Sequence, residues 1–319
     1  MPLLAMILSY ANSDLKGSIF DIQGLSVHDG PGCRTLVFLN GCTLNCFWCS
    51  NPEGINKKHS LLYFASKCIT CGNCIEKCPS KAIKADNEKI YIARQLCVNC
   101  EKPDCVEECY TEALRVSGYE ITVSKLYNII QRDRQFWGSE GGVTLTGGEP
   151  LLQIDFATAF LSRCHQAYIH TAIETCGNIP YQNFQKAMPF LDWIFFDLKH
   201  FNVAEHKKGT LADNSVIIEN AKRISAEFKG RLIFRLPLIP NYNDSKENID
   251  SIVRFLKENN RNEINILPLH HLGREKYNVL NQEYTGINYP IPSPEQLKDI
   301  QKVFIESNIN CYIGSETPF

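Results

Sequence analysis

The chemistry open to this chain centres on three cysteines, in the stretch Cys42-Thr43-Leu44-Asn45-Cys46-Phe47-Trp48-Cys49. They directly follow the apolar run Thr35–Leu39, which is short, β-branched and aromatic and ends in Asn40-Gly41. Such a run predicts a buried strand that delivers a loop. Thiolates at x3 then x2 spacing can wrap one corner of a cubic 4Fe-4S cluster. No fourth ligand lies nearby, so one iron would stay open to bind something else. A zinc site or buried free thiols are the competing readings, but zinc prefers four ligands in two separated pairs.

Two more cysteine runs follow. Cys68-x2-Cys71-x2-Cys74-x3-Cys78-Pro79 has the spacing of a bacterial ferredoxin. Cys97-x2-Cys100-x4-Cys105-x3-Cys109 departs from it by a four-residue middle gap and by Tyr110 in place of proline. In two-cluster ferredoxins the fourth cysteine of each run crosses to the other cluster. One cluster is therefore expected on Cys68, Cys71, Cys74 and Cys109, and another on Cys97, Cys100, Cys105 and Cys78. A zinc-binding insert is the alternative. The remaining cysteines, Cys33, Cys164, Cys176 and Cys311, lack partners at ligand spacing and read as ordinary buried thiols.

The chain has 319 residues, is 44% hydrophobic and carries a net charge of −2. It can bury a large core in one or two domains, and the charge gives no footprint for nucleic acid or an anionic membrane. The fifteen cysteines sit mostly in short clusters, which read as metal ligation rather than disulfides. Met1 to Ala11 is apolar but short and has no basic leader, so a disordered or docked tail is expected rather than a signal peptide. No apolar run reaches about 18 residues, so no membrane span is expected. An oxygen-shielded cytoplasm is the natural compartment.

Strands and helices alternate over the rest of the chain. Val123 to Gln135 has helical spacing behind Thr122, a fair N-cap. Val143–Thr146 reads as a strand ending in Gly147-Gly148-Glu149-Pro150, followed by an amphipathic helix, Ile154 to Gln166. Further strands are expected at Tyr168–Ile173, Trp193–Phe196, Leu232–Leu236 and Glu263–Leu267. They end in Glu174-Thr175-Cys176-Gly177, Asp197-Leu198-Lys199-His200, Pro237 with the loop Pro240–Asp244, and Pro268-Leu269-His270-His271. A last helix near Pro294 to Ser307 leads to Cys311-Tyr312-Ile313. Alternation of this kind predicts a parallel sheet with helices outside, and the unusual polar residues fall at strand carboxyl ends, where α/β folds place their sites. Six units fit the length. The expectation is α/β, a partial (β/α)6 TIM barrel made from residues 1–51 and 117–319. Residues 52–116 would form an inserted ferredoxin-like domain that depends on its metal to fold.

Each strand-end motif has a plain reading beside its chemical one. Gly147-Gly148 could be only a turn, and Asp29-Gly30-Pro31-Gly32 only the entry to the first strand. Trp48 could be a core residue or stack on a nucleobase. Glu174, Asp197 and Lys199 could be a structural ion pair, and Lys199, two residues past Asp197, shares its face if the strand continues.

Taken together, the cysteine triplet and Gly147-Gly148-Glu149-Pro150 resemble the radical S-adenosylmethionine enzymes. Ser26-Val27-His28-Asp29-Gly30-Pro31-Gly32-Cys33-Arg34 further resembles the entry motif of one branch, the glycyl-radical-enzyme activating enzymes. The resemblance runs from Ile19 to Phe319. It is nearest to activators of 4-hydroxyphenylacetate decarboxylase and related arylacetate decarboxylases, on Val27–Arg34, His170–Thr175, Leu267–Tyr277 and Cys311–Phe319. It implies that the cluster on Cys42, Cys46 and Cys49 binds S-adenosylmethionine at its open iron and splits it with one electron. The 5′-deoxyadenosyl radical so formed takes a hydrogen from a backbone glycine of the partner enzyme.

The same resemblance assigns contacts. Gly147, Gly148 and Glu149 would grip the amino group of S-adenosylmethionine, and Asp197, Leu198 and Lys199 its nucleoside and methionine portions. Glu174 and Thr175 match a ribose- or cation-binding segment, where the pyruvate formate-lyase activator has Asp in place of Glu174; a monovalent cation belongs to that implication. Trp48, Cys49, Ser50, Arg235 and His270 complete the cofactor contacts, and His271 is expected to be a surface neighbour. Asp197 and Lys199 join the three cysteines as the catalytic set. Three 4Fe-4S clusters and a flavodoxin or ferredoxin reductant are implied, with the insert clusters relaying electrons or docking the partner. Alternatives are an activator of a choline-, glycerol- or alkylsuccinate-type glycyl radical enzyme, a radical enzyme acting on a small molecule or peptide, and a ferredoxin-like electron carrier. The carrier would leave the first triplet without a purpose.

Overall fold

The computed structural model describes residues 15–57, 59–86, 89–97, 100 and 103–318. The Met1–Ala11 tail lies outside them. The strands are β1 (Lys16–Ser26), β2 (Arg34–Leu39), β3 (Leu61–Tyr63), β4 (Ile83–Asp86), β5 (Lys89–Ile92), β6 (Leu114–Val116), β7 (Tyr119–Thr122), β8 (Gly142–Gly147), β9 (His170–Thr175), β10 (Trp193–Asp197), β11 (Arg231–Leu238), β12 (Glu263–Pro268) and β13 (Asn310–Ile313). Nine of them form one sheet in the order β13-β12-β11-β10-β9-β8-β2-β1-β7. From β2 through β13 every neighbouring pair in that sheet is parallel. Only β1 is antiparallel to its neighbours β2 and β7. The six expected strands are all present. The stretch Cys311–Ile313 adds a seventh parallel strand, and residues 16–26, for which no strand was expected, form a long strand between β2 and β7.

Alternation along the parallel strands sorts the two faces. On β10, Ile194 and Phe196 point outward into the main core with Phe160, Phe184, Phe234 and Leu256, all essentially inaccessible to solvent. Phe195 points inward and packs with Ala172 and Ile233 as a separate apolar cluster. That cluster floors the barrel interior. Along each strand the next inward position, two residues on, is polar: Glu174 on β9, Asp197 on β10 and Arg235 on β11. The helix Ile154–Gln166 covers the outer face, as its pattern predicts. Thr122 caps the helix Val123–Ile130 by accepting from the Lys125 amide at 3.2 Å; the continuation to Phe136 is 3-10 rather than α.

Residues 61–116 carry their own small core, Cys78, Ala82, Ile83, Ile90, Cys105 and Leu114. The antiparallel pair β3–β6 closes the neck of this segment and brings its two ends together. Two short helices, Asn73–Glu76 and Asp104–Glu107, carry Cys74 and Cys105. Among the described residues no helix is long and apolar enough to cross a membrane.

Candidate active site

The carboxyl ends of the parallel strands surround a cavity of about 650 Å³. Cys42, Cys46 and Cys49 share its wall with Trp48 and Ser50, which the loop after β2 supplies. Backbone hydrogen bonds hold that loop. Asn45 donates to the Thr210 carbonyl at 2.8 Å, Phe47 to Gly209 at 3.1 Å, and Cys42 to Ile55 at 2.9 Å. The sulfurs themselves accept backbone amides, Cys42 from Leu44 and Cys49 from Asn51, each at 3.4 Å. Amide donors aimed at sulfur favour thiolates, the form that binds iron. Burial pushes the Cys46 thiol up and Cys49 to about 11, so these sulfurs need a positive partner to stay ionised. Cys42 is held below the ordinary thiol range, chiefly by a hydrogen bond with Cys176 and against its own burial.

Gly147 and Gly148 are explained by close approach. Gly147 has φ +108°, and a Cβ there would sit 2.5 Å from the Leu39 amide nitrogen; a Cβ on Gly148 would meet the Gly41 carbonyl at 2.1 Å. Their turn is zipped to the base of the cysteine loop, the Gly148 amide donating to Leu39 at 2.9 Å and the Glu149 amide to Gly41 at 2.7 Å. Both glycines line the cavity.

Glu149 sits elsewhere than its motif suggests. Its side chain is fully buried behind the cavity wall, accepting from the Thr175 hydroxyl at 2.7 Å and the Cys176 amide at 2.9 Å. It braces the β9 turn. Leu198 likewise lies in the outer core, because it alternates with the inward-facing Asp197 and Lys199.

Glu174, Asp197, Lys199 and Arg235 form one charge network facing the cavity. Arg235 donates to Glu174 at 2.5 Å and to Asp197 at 2.9 Å, while Lys199 donates to Asp197 at 2.8 Å. Burial opposes every charge here. Even so, Arg235 and Lys199 hold the Asp197 carboxyl below its usual range, and Asp197 holds the Lys199 ammonium above its own. Asn243, fully buried, donates to the carbonyls of Lys199 at 2.9 Å and Pro237 at 2.6 Å, which fixes the β10 and β11 loops together.

Trp48 is 9% exposed and packs with Tyr242, Ile239 and Leu269, and it also lines the cavity. His270 lines the cavity from an exposed position. His271 is half-buried and lies 3.1 Å from the Tyr284 hydroxyl, which corrects its reading as a surface neighbour. Thr175 and Cys176 line the wall too. Cys176 is therefore no ordinary core thiol, and Cys33 is only half-buried. The cavity also includes Asp29, Thr146 and Asn265, which sequence reasoning missed as site residues. For Thr146 a signal existed: in Val143-Thr144-Leu145-Thr146 the threonines alternate onto the inner face. There Thr146 donates to Glu174 at 2.6 Å and Thr144 to the Asp29 carbonyl at 2.8 Å.

In the insert, Cys68, Cys71, Cys74 and Cys109 line one small cavity. The Cys97 and Cys105 thiols both lie within electrostatic reach of Cys78 and Cys100. Amides again point at sulfur, Ala82 to Cys78 at 3.2 Å, Leu114 to Cys109 at 3.3 Å and Thr70 to Cys68 at 3.4 Å. Among the described residues no three Cys, His, Asp or Glu side chains close around a single metal ion.

The model of the Radical SAM superfamily matches residues 97–256, half of the chain, and a 4Fe-4S dicluster domain matches residues 60–110. A 4-hydroxyphenylacetate decarboxylase activating enzyme from Clostridioides difficile is 41% identical over 97% of this chain and 99% of its own. The chain belongs to the radical SAM superfamily. This radical SAM chain is also 38% identical to an indoleacetate decarboxylase activating enzyme from Tractidigestivibacter scatoligenes, over 94% of this chain and 98% of that one. A radical SAM methyltransferase from Sphaerobacter thermophilus shares the fold, with a TM-score of 0.52 at 15% identity, covering 88% of this chain and 66% of that one. The chain is thus an enzyme of the activating type, built for iron–sulfur clusters and S-adenosylmethionine, with a partial barrel and a dicluster segment.

Proposed function

We propose that this enzyme activates a glycyl radical enzyme of the arylacetate decarboxylase type, with Cys42, Cys46 and Cys49 as the ligands of the cluster that meets S-adenosylmethionine. The observation that carries the reading is convergence: three thiols, two of them with backbone amides aimed at sulfur, and the charged set Asp197, Lys199 and Arg235, face one cavity of about 650 Å³. That donor set fits an iron–sulfur cluster with an open iron. When bound there, the cluster supplies the electron and the open coordination site for cleaving the sulfonium.

The chain's own residues do the rest by holding and excluding. Lys199 and Arg235 offer fixed positive charge to a carboxylate, and Asp197 keeps both oriented. An ammonium group only donates, so at the glycine turn it would use backbone carbonyls, while the Gly148 and Glu149 amides stay on Leu39 and Gly41. Trp48 offers a face to adenine, and Ser50, Glu174, Thr175 and His270 edge the same space. Glu149 and Leu198 act from behind the wall. A cation at Glu174 and Thr175 fits less well: both Glu174 oxygens are taken, by Arg235 and Thr146, and the Thr175 hydroxyl is taken by Glu149.

Two further clusters belong to this reading, on Cys68, Cys71, Cys74 and Cys109 and on Cys97, Cys100, Cys105 and Cys78, making three in all. Residues 52–116 serve as the insert, and 1–51 with 117–319 as the barrel. A flavodoxin or ferredoxin reductant and a cytoplasmic location complete it. The arylacetate partner is supported by the named activity of both relatives, each aligned over nearly its whole length. The test is to incubate anaerobic, iron-loaded protein with S-adenosylmethionine, a reductant and candidate decarboxylases. 5′-Deoxyadenosine together with a glycyl doublet in electron paramagnetic resonance is expected. 5′-Deoxyadenosine without a doublet on any arylacetate decarboxylase would remove the partner assignment and leave the enzyme class.

A further inference from the structure

Asn265 stands on the inner face of β12, beside Arg235 in register, while Ile264 and Ile266 turn outward into the main core. It is 3% exposed and lines the cavity at the strand ends. Its amide nitrogen donates to the Gly314 carbonyl at 3.2 Å and to the Thr317 hydroxyl, both in the segment after β13. A carbonyl can only accept, so the Gly314 contact fixes which end of the amide is nitrogen. The oxygen, Oδ1, is left with no hydrogen-bond partner. Among the described side chains that line the cavity, it is the one buried nitrogen or oxygen so placed. The carboxylates of the charge network are already engaged, Glu174 by Arg235 and Thr146, and Asp197 by Arg235 and Lys199.

A buried acceptor without a donor is destabilising, and one kept in the wall of a cavity is explained by a donor that arrives from outside. Its place in the sheet says which donor. Among the described residues, β13 and β7 end the sheet and do not pair with each other, so the barrel wall is open beside β13. Asn265 is on the strand next to that edge, and Gly314 and Ser315, just past β13, line the cavity with it. The glycine turn and the cysteine loop leave β8 and β2, four and five strands away in the sheet. A glycine offers no side chain to be held by. A segment carrying one, once it enters by the open side and loses its water, needs acceptors for its backbone N–H groups.

We infer that Asn265 Oδ1 is a binding point for the partner enzyme, accepting a backbone N–H of the glycine-bearing segment inside the cavity. The inference rests on the activating function proposed above.

The experiment uses full-length, anaerobically iron-loaded protein and the arylacetate decarboxylase that gains a glycyl doublet with the wild type. The rate of doublet formation is followed against decarboxylase concentration, and S-adenosylmethionine affinity is measured by calorimetric titration. Asn265→Leu removes the oxygen at similar volume. It is expected to raise the KM for the decarboxylase about tenfold, the loss of one buried hydrogen bond, and to move the Kd for S-adenosylmethionine by less than about threefold. Thr317→Val removes one anchor of the amide but leaves Oδ1 and the Gly314 contact, and should keep the wild-type KM. An unmoved KM in Asn265→Leu overturns the inference. So does an equal rise in Thr317→Val, because the turn after β13 would then carry the effect. A loss of S-adenosylmethionine affinity as large as the rise in KM also overturns it, by giving the oxygen to the nucleotide. Asn265→Ala is read in the same way where the leucine variant does not load iron. A wild type that raises no doublet on any decarboxylase would remove the partner assignment and this inference with it, whereas a wild-type doublet with an unmoved variant KM removes this inference alone.

Discussion

Tyr277 donates its phenolic hydrogen to the backbone carbonyl of Cys49 at 2.9 Å. The helix Arg274–Leu280 that carries it is tied to the cysteine loop a second time, through Lys276, which reaches Asn51 at 2.8 Å and Glu53 at 2.7 Å. At its other end the Val279 carbonyl accepts from Arg94 of the insert at 2.8 Å. One short helix thus connects the loop of the first cysteine triplet to the segment bearing the other two runs.

Tyr277→Phe should therefore act on the cysteine loop rather than on the barrel. The Cys49 carbonyl would lose its donor, at a cost of about 1–3 kcal/mol where it cannot find water. Faster release of iron to a chelator is expected, with the far-ultraviolet spectrum unchanged. Equal release rates in variant and wild type would mean that the contact carries no weight.

Among the described residues, Arg235 is the one cation shared by Glu174 and Asp197. Its removal would leave the largely buried Glu174 without a cation and Asp197 with Lys199 alone, and breaking a buried pair by removing one partner typically costs about 3–5 kcal/mol. Arg235→Met is predicted to lower the free energy of unfolding by roughly that amount and to abolish S-adenosylmethionine binding. Adding Glu174→Gln should recover part of the stability but not the binding, because one unpaired charge is then gone while the fixed positive charge is still missing. Denaturant unfolding and calorimetric titration would check both halves.

Much of this was legible in the chain. Strand ends announced themselves because motif residues such as Gly147-Gly148 and Asp197-x-Lys199 directly follow apolar runs, and in a parallel fold strand ends share one rim. What stayed hidden depends on side-chain direction and on contacts far apart in sequence. Glu149 belongs to a motif, yet it turns away from the cavity to hold the Cys176 amide; spacing cannot show such a rotation. Cys176 meets Cys42 across 133 intervening residues, so no local pattern could pair them. β1 was missed because Gly17, Asp21, Gln23 and Gly24 dilute the alternation of a strand that pairs through its backbone on both sides.

The insert should depend on iron for its fold. Of the six buried core residues among those described there, two, Cys78 and Cys105, are proposed ligands. So few apolar side chains cannot offset chain entropy unaided, and metal binding energy there becomes folding energy. Anaerobic iron removal is predicted to open residues 61–116 to limited proteolysis while the fragment containing β8 to β13 stays protected. Cys105→Ser should lose about four irons. Coincident digestion of both regions would show that the two cores are not independent.

Stability should fall on acidification in a way that depends on His170. Burial is the largest cause, and with the Arg34 charge it pushes this imidazole down to about 4, against the pull of Asp192. In the unfolded chain the ring titrates near 6.5, about its ordinary value. Between those values the unfolded state binds more protons than the folded one, so stability is complete above about 6.5 and is lost as pH falls toward 4. The limiting slope for one proton is about 1.4 kcal/mol per pH unit. His170→Phe keeps the edge contact with Trp193, whose ring centroid lies 5.6 Å away, but cannot titrate. His200 and His206, also held low mainly by burial, are common to both proteins and cancel in the comparison. Denaturant unfolding of wild type and variant at about pH 7 and about pH 5.5 is expected to show a smaller acid loss in the variant. Parallel losses in the two proteins would place the acid sensitivity elsewhere.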